Sequence, residues 1–319
     1  MDNAGKQYSP PRFLFNAHLE TIYPALFRRV TLSTPYTRER IATPDNDFLD
    51  LDWITQGSQE LVIISHGLEG DSYRPYIKGM ASAMTRQGFD VLAWNYRGCS
   101  QEMNHQLRFY HSGATDDLDL VVQHAAAKAY KAICLIGFSL GGNITLKYLG
   151  ERQPLSVIKR AAVFSVPMDL HTSCNTISQP GNRIYAARFL KSLRNKIVRK
   201  SAAFPELDIR DIHKIATIQD FDDRYTAPLH GFPDAVTYYR LCSSVNFVKS
   251  ITTPTLIVNA KNDPFLSPEC YPTDLLKGHP FVSFEIPMRG GHVGFAELNT
   301  SGTYWSESRA VQFLQQVNS

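Results

Sequence analysis

The residues best suited to chemistry lie in the segment Gly-Phe-Ser-Leu-Gly at positions 137–141, which fits the pattern G-x-S-x-G. An apolar run of strand length precedes it, and a segment of helical character follows it. A serine on such a sharp turn has a strained backbone, and side chains beside it would clash, so its flanks require glycine. The turn also places the serine at a helix N-terminus, which favours developing negative charge. The pattern predicts that Ser139 is a nucleophile; the alternative is a glycine-rich turn that contains a serine.

A serine hydroxyl is a weak nucleophile, so it needs a base, and the base needs a group that orients it. In the fold that carries this motif, the acid follows the serine along the chain and the histidine follows the acid. His292 lies in Arg-Gly-Gly-His-Val-Gly, positions 289–294, after the last predicted strand. The glycines allow this loop to bring the imidazole close to Ser139, so His292 is the predicted base. His279 precedes that strand and is predicted to be a surface residue.

The acid is expected at the end of the preceding strand. Asp263 lies in the turn Asn-Ala-Lys-Asn-Asp-Pro, positions 259–264, just after the apolar run 255–258. It is therefore predicted to orient the imidazole of His292. The alternative role for Asp263 is that of a turn former before a proline. Asp274 is a weaker candidate because it lies further from the end of the strand.

Two backbone N–H groups are predicted to bind the oxyanion that forms when the serine attacks a carbonyl. His-Gly-Leu at positions 66–68 follows the apolar run 61–64, and in this fold the loop after that strand supplies one donor. The predicted donors are the main-chain N–H groups of Leu68 and Leu140, since a tetrahedral oxyanion requires preorganised N–H dipoles. His66 is predicted to be a structural residue of the loop rather than a second base.

Three carboxylates, those of Asp116, Asp117 and Asp119, raise the question of a metal site. They follow Ser112 and Thr115 at the start of a predicted helix, where negative charge behind a serine or threonine cap is the ordinary explanation. No cluster of His, Cys and carboxylate residues elsewhere has the spacing of metal ligands. We therefore predict neither a metal nor a cofactor.

The elements that must position these residues alternate between strand and helix. Short apolar runs, each bounded by loops, are typical of buried parallel strands with helices on both faces. These runs lie at 61–64, 89–94, 133–136, 161–164 and 255–258, with a further strand at 281–286 and helices at 76–87, 116–128, 140–151 and 303–317. Two earlier strands, 34–42 and 48–54, are joined by a Pro-Asp-Asn turn and predict an antiparallel hairpin. The pattern predicts an α/β fold.

The alternation stops near residue 170 and resumes near residue 250. Residues 171–249 contain no buried-strand run and look helical or loop-like. They predict a lid inserted into a single domain of residues 1–319, whose core comprises residues 30–170 and 250–319.

One part of the predicted lid has an unusual charge pattern. Between His171 and Pro205 there is no acidic residue, but there are seven basic ones: Arg183, Arg188, Lys191, Arg194, Lys196, Arg199 and Lys200. Apolar residues lie among them at helical spacing, namely Phe189, Leu190, Leu193 and Ile197. This pattern predicts a lid helix that packs through the apolar stripe and has a solvated basic face. The alternative is that segment 183–200 attracts anionic membrane surfaces or acidic groups of a substrate.

The composition is that of an ordinary globular protein. The chain has 319 residues, of which 43% are hydrophobic and 20% charged, which excludes a disordered chain or a collagen-like fibre. The net charge of +3 is too small to indicate nucleic-acid binding. Five cysteines without paired spacing favour a reducing compartment. The first residues lack the apolar core of a signal peptide, and no apolar stretch has the length of a membrane span, so we predict a cytoplasmic location.

These motifs together resemble the α/β-hydrolase superfamily, and more closely its AB-hydrolase 4 branch. That branch contains bacterial hydrolases, eukaryotic abhydrolase-domain lipases and yeast medium-chain ester synthase/esterases. The resemblance covers nearly the whole chain, and the N-terminal segment is the part specific to the branch. It rests on Asn-Ala-His-Leu-Glu-Thr-Ile-Tyr-Pro-Ala at 16–25, His-Gly-Leu-Glu-Gly at 66–70, Asn-Tyr-Arg-Gly at 95–98, the turn at 137–142 with Lys-Tyr-Leu at 147–149, and Phe-Asp-Asp-Arg-Tyr-Thr-Ala-Pro at 221–228.

The resemblance implies a triad of Ser139, Asp263 and His292 that cleaves carboxylic esters, often with medium-chain acyl groups or glycerides. The leading hypothesis is a serine hydrolase that acts through an acyl-enzyme on small acyl esters of short to medium chain length. The same groups would form an acyltransferase if an alcohol replaced water. A third hypothesis is a non-catalytic binding protein with this fold.

Overall fold

Eight strands form one sheet in the computed structural model, which describes residues 8–316. In chain order they are β1 Thr37–Ala42, β2 Phe48–Ile54, β3 Glu60–Ser65, β4 Asp90–Asn95, β5 Ala132–Phe138, β6 Ile158–Phe164, β7 Thr255–Val258 and β8 Val282–Glu285. Their order across the sheet is β1-β2-β4-β3-β5-β6-β7-β8. The pairs β1–β2 and β2–β4 are antiparallel, and every later pair is parallel. The predicted hairpin and the mostly parallel sheet are confirmed.

Eleven α-helices lie between and around these strands within residues 8–316. They are α1 Ala17–Phe27, α2 Pro75–Arg86, α3 Thr115–Ala126, α4 Leu140–Glu151, α5 Leu170–Ile177, α6 Arg183–Ser201, α7 Ile218–Phe221, α8 Ala227–Leu229, α9 Ala235–Cys242, α10 Thr273–Leu276 and α11 Trp305–Leu314. The predicted helices correspond to α2, α3, α4 and α11, although the predicted end of the last one, residue 317, lies outside the described residues. None of the helices in the described range is long and apolar enough to cross a bilayer.

Helices cover both faces of the sheet, and the central strand β3 shows this directly. All of its residues except Glu60 are buried. Leu61 and Ile63 belong to one hydrophobic core, which also contains residues of α3 and α4. Val62 and Ile64 belong to a second core, which contains residues of α2 and α11. Because successive side chains of a strand lie on opposite faces, a strand covered on both sides requires an uninterrupted apolar run.

The N-terminal helix α1 is not predicted by the sequence. Its buried residues are Glu20, Thr21 and Pro24, so it has no apolar stripe that a search for helical periodicity could detect. Asn16 caps the helix, because its side chain accepts a hydrogen bond from the N–H of Leu19 at 2.9 Å. The buried side chains of this helix are therefore mainly polar.

The segment between β6 and β7 contains α5 to α9, and its longest helix is α6. The predicted apolar stripe packs as expected, since Leu190, Leu193 and Ile197 are buried. The prediction of a solvated basic face is wrong for Lys196 and Lys200, which are buried as well. The ammonium of Lys200 donates to the carbonyl of Gln106. A lysine can be buried in this way because its long apolar stem packs while its tip finds an acceptor.

The start of α3 differs from the predicted cap. The N-cap residue is Ala114, and no serine or threonine side chain caps the helix. The buried carboxylate of Asp117 instead pairs with Arg97, with 2.8 Å between Nη2 and Oδ1. Within residues 8–316 no group of three or more His, Cys, Asp or Glu side chains is arranged to hold a metal ion.

Candidate active site

Ser139 lies on the turn between β5 and α4. Its φ of 52° and ψ of −120° fall in a region that residues with a side chain rarely adopt. The turn is held in place because the N–H of Ser139 donates to the carbonyl of Phe164 on β6 at 2.9 Å. The side chain therefore stands at the carboxyl edge of the sheet, where ligands bind in open α/β folds.

The glycines around Ser139 are required by close backbone contacts. A Cβ on Gly137 would lie 2.5 Å from the carbonyl oxygen of Gly141. A Cβ on Gly141 would lie 2.5 Å from the carbonyl oxygens of both Ser65 and His66. Real Cβ atoms do not approach other atoms so closely, so the first turn of α4 can pack against the end of β3 only without these side chains.

The three side chains predicted for a triad come together at this edge. Nε2 of His292 lies 2.9 Å from Oγ of Ser139. Nδ1 of His292 lies 2.9 Å from Oδ2 and 3.0 Å from Oδ1 of Asp263. The Asp263 side chain is fully buried and also accepts a hydrogen bond from the N–H of Phe265 at 2.9 Å. These contacts have the geometry that a nucleophile, its base and a group that orients the base require.

The alternative residues lie elsewhere. Asp274 is exposed on the short helix α10. Nδ1 of His279 accepts from the N–H of Val282 at 3.1 Å, and its Nε2 lies 3.2 Å from the carbonyl of Lys249. Neither residue contacts Ser139. Sequence reasoning did not single out Phe265, whose ring lies 4.1 Å from the imidazole of His292, centroid to centroid.

The proposed oxyanion donors lie on two different elements. Leu140 is the first residue of α4, and Leu68 follows β3. The N–H groups beside Leu68 are occupied, because Gly67 donates to Tyr76 and Glu69 donates to Tyr110. Within the part of the chain that the structure describes, neither the Leu68 N–H nor the Leu140 N–H donates to another protein group. Both therefore remain available to a ligand at Ser139.

His66 lies in the same loop but has no free ring nitrogen. Its Nδ1 donates to the carbonyl of Gly67 at 2.8 Å, and its Nε2 accepts from the N–H of Tyr96 at 3.3 Å. Burial lowers the pKa of His66 to about 3, so the ring is neutral at physiological pH. These contacts suit a structural residue of the loop rather than a second base.

A pocket opens beside Ser139 and extends toward the segment between β6 and β7. Its walls are mainly apolar and aromatic, which suits a hydrophobic ligand group. Residues of the core and of the inserted segment contribute together, namely Leu68, Phe109, Leu140, Pro167, Leu170, Ile177, Phe189, Leu193, Ile218, Tyr238, Tyr239 and Phe265.

A buried ion pair joins α6 to the loop that carries Leu68. Nζ of Lys196 lies 2.6 Å from Oε1 of Glu69, and both side chains are less than a tenth exposed. Ser192 and Tyr110 also donate to the Glu69 carboxylate, at 2.6 and 2.7 Å. Burial disfavours the charged carboxylate, but the Lys196 ammonium and these hydrogen bonds outweigh it and lower the pKa of Glu69. The sequence does not reveal this pair, because its members are separated by more than a hundred residues.

Replacement of Lys196 with methionine is expected to lower the free energy of unfolding by about 3–5 kcal/mol, because Glu69 stays buried without its counter-charge. Urea unfolding at neutral pH measures the loss. Lys214→Met is the matched control: its ion pair with Asp211 is exposed, so about 0–1 kcal/mol is expected. The pKa of Glu69 is lower in the folded protein than in the unfolded one. The ion pair therefore makes its full contribution to the free energy of unfolding above the unfolded pKa of about 4.3. That contribution is lost as the pH falls through the pKa of Glu69 in the folded protein. Equal losses in the two variants would contradict the assignment.

The sheet order, the turn that bears Ser139 and the contact with His292 define an α/β-hydrolase. The chain belongs to the family described as serine aminopeptidase, S33, whose sequence model matches residues 56–273.

Similar proteins agree with this assignment. YheT of Escherichia coli strain K12, a provisionally named esterase, is 33% identical over 325 residues, which cover 98% of this chain and 94% of that protein. Monoacylglycerol lipase of Saccharomyces cerevisiae is 29% identical over 283 residues, covering 86% of this chain and 62% of the lipase. The solved structure of the Pyrococcus furiosus esterase Pf2001 matches this chain with a TM-score of 0.58 at 19% identity. The match covers 90% of this chain and 97% of the Pf2001 chain, and it shows that the two folds are alike. The protein is a hydrolase of a family that includes esterases and lipases.

Proposed function

We propose that the protein is a serine carboxylic-ester hydrolase that acts through an acyl-enzyme, with Ser139, His292 and Asp263 as its catalytic triad. The observation that carries the proposal is the continuous chain of contacts from the Ser139 hydroxyl through the imidazole to the Asp263 carboxylate, with 2.9 Å at each step. The unpartnered N–H groups of Leu68 and Leu140 support it, since acyl transfer through an oxyanion requires such donors.

In the first half of the reaction, Oγ of Ser139 attacks the ester carbonyl carbon while Nε2 of His292 removes its proton. The carbonyl π electrons move onto the oxygen, and the N–H groups of Leu68 and Leu140 stabilise the negative charge there. Asp263 holds Nδ1–H of the ring and stabilises the imidazolium. The imidazolium then donates its proton to the leaving oxygen, which releases the alcohol and leaves the acyl group on Ser139.

In the second half, water takes the place of the alcohol. His292 removes a proton from the water while the water oxygen attacks the acyl carbon. The same proton passes to Oγ of Ser139 when the bond between that oxygen and the acyl carbon breaks. An alcohol in place of water would give a new ester, so acyl transfer is the alternative outcome of the same intermediate. Reaction in the presence of ethanol distinguishes the two, because transfer yields an ethyl ester and hydrolysis yields only the free acid.

The pocket beside Ser139 supports short- to medium-chain acyl esters or glycerides as substrates. Its apolar walls would remove an acyl chain from water, which contributes about 0.8 kcal/mol per buried methylene. Several similar proteins carry names that fit such substrates, among them the yeast monoacylglycerol lipase and the medium-chain fatty acid ethyl ester synthase/esterase 2 of the same organism. A series of p-nitrophenyl esters of increasing acyl length is expected to show kcat/KM rising with length until the pocket is filled.

Labelling with a fluorophosphonate tests the proposal directly. The probe reacts with an activated serine, so we expect stoichiometric labelling of the native protein at the peptide that contains Ser139. The heat-denatured protein is the control, since it has the same serine without the contact to His292. A native protein that does not react would contradict the enzymatic proposal and favour a binding protein with this fold.

We also propose that the exposed part of α6 contacts anionic membrane surfaces. Four basic side chains are exposed there, those of Arg183, Arg188, Lys191 and Arg199. The apolar residue Ile184 is also 75% exposed to solvent. Binding to anionic vesicles that is weakened by glutamine at the four basic positions would support the contact, and unchanged binding would contradict it.

We further propose a cytoplasmic location, which the five cysteines support because all of them are free thiols.

A further inference from the structure

The loop that carries His292 is held by side chains of other elements. It lies outside any helix or strand, and four consecutive backbone N–H groups, those of residues 290–293, each donate to a side chain. The acceptors are Oε2 of Glu20 for Gly290, Oδ1 of Asn262 for Gly291, Oγ1 of Thr21 for His292 and Oγ of Ser165 for Val293, at 2.6, 3.1, 2.9 and 2.9 Å. Two of these acceptors belong to neighbouring residues of α1.

The backbone of this loop would not keep its shape unaided. Val293 and Phe295 have φ angles of 56° and 44°, and such left-handed conformations are unfavourable for residues with a side chain. The loop also packs directly on α1, because a Cβ on Gly294 would lie 2.3 Å from the carbonyl oxygen of Glu20. The surrounding contacts must therefore supply the energy that keeps the imidazole in place.

Glu20 contacts both of the loops that carry the triad. Its side chain is inaccessible to solvent. Its Oε1 accepts from Nε of Arg289 at 2.6 Å, in the His292 loop. Its Oε2 accepts from the N–H of Gly290 and also from Nδ2 of Asn262 at 3.1 Å. Asn262 directly precedes Asp263, so one carboxylate links the base loop to the acid loop.

The chemistry of the position calls for a carboxylate. All groups around Glu20 that contact its two oxygens are donors: a guanidinium, a backbone N–H and a side-chain amide. Ionised glutamate accepts at both oxygens, whereas glutamine would place its own NH₂ against at least one of these donors. A substitution of the same shape would therefore push one of the two loops away.

We infer that Glu20 and Thr21 of α1 are positioning residues, which set the distances between Ser139, His292 and Asp263. The inference rests on the proposed function, because it concerns how the base and the acid of that triad are held. Both residues act through the loops, at their backbone and at Asn262, rather than on the substrate. Displacement of a catalytic group by about 1 Å lowers a rate by about 10²-fold.

The test compares three variants. Glu20→Gln removes the acceptor for one loop, and Thr21→Val removes the acceptor for the His292 N–H with little change in shape. Glu307→Gln is the matched control, since Glu307 is also buried, pairs with Arg28 and accepts a backbone N–H, that of Tyr304, at 2.9 Å. For each variant we would measure kcat and KM on a p-nitrophenyl ester, with kcat calculated per folded molecule. We would also measure the rate of fluorophosphonate labelling and the thermal midpoint.

We expect Glu20→Gln to lower kcat by about 10²-fold and Thr21→Val by about 10-fold, with KM changed less than about twofold and labelling slowed in parallel. Glu307→Gln should lower the thermal midpoint but keep kcat. A kcat within about threefold of the native value in Glu20→Gln, or an equal loss in Glu307→Gln, overturns the inference. If Glu20→Gln does not fold, an unchanged kcat in Thr21→Val overturns it. A native protein that neither labels nor cleaves esters overturns the proposed function, and the inference with it.

Discussion

Replacement of Ser139 with alanine is expected to lower kcat for ester hydrolysis by about 10⁴- to 10⁶-fold while the protein keeps its fold. In the proposed mechanism the hydroxyl forms the covalent intermediate, and without it only general binding and the oxyanion donors can accelerate attack by water. Ser139 is partly exposed at a turn, and the glycines beside it stay unchanged, so the loss of one oxygen has little effect on packing. Steady-state kinetics with a p-nitrophenyl ester measure the change.

Ser201→Ala is the control for this variant. Ser201 lies at the end of α6, and its hydroxyl donates to a nearby helical carbonyl, that of Val198. The control should retain full activity and should label with the fluorophosphonate like the native protein. If Ser139→Ala retained more than about a hundredth of the native rate, a different nucleophile would have to be sought.

Replacement of Asp263 with asparagine is expected to lower kcat by about 10⁴-fold, with only a small change in KM. Asparagine has nearly the same shape, but its NH₂ group donates a hydrogen bond where the carboxylate accepts one. The imidazole then holds its proton on Nε2, the nitrogen that lies 2.9 Å from Ser139, and it cannot take the serine proton.

The exposed Asp274 provides the comparison for Asp263, because it is the other aspartate that follows β7 and precedes β8. Asp274→Asn should leave kcat and fluorophosphonate labelling unchanged. A large loss in Asp274→Asn, or a nearly native rate in Asp263→Asn, would show that the acid has been assigned wrongly.

The sequence suffices to predict which side chains meet at the carboxyl edge of the sheet, because the signals for them are local. The glycines around Ser139 report close backbone contacts within the same turn, and the apolar runs report strands that are covered on both faces. Chain order then narrows the choice of acid and base, and the contacts of His292 agree with that order. Each of these signals lies within a few residues of the feature that it predicts.

The supporting contacts cannot be predicted in this way. Glu20 lies 270 residues from its partner Gly290, and the helix that bears it buries polar residues, so hydrophobic periodicity does not reveal either the helix or its role. Lys196 looks like a solvated member of a basic segment, because nothing near it in sequence shows that Glu69 lies opposite. A buried polar side chain does not contribute to the hydrophobic periodicity of the sequence. Its partner can be identified only once the topology of the fold is known.

The pairing of β6 with β7 has a consequence for how such a protein can diversify. Phe164 at the end of β6 lies beside Val258 at the end of β7, so the ninety or so residues between these strands leave the sheet and return to almost the same place. Neighbouring strands are about 4.8 Å apart whatever the length of chain that joins them. Evolution can therefore exchange the segment that forms much of the pocket while the strands and the turn at Ser139 keep their positions. The ion pair of Lys196 and Glu69 limits that freedom, since a transplanted segment must bring its own partner for a carboxylate that the core retains.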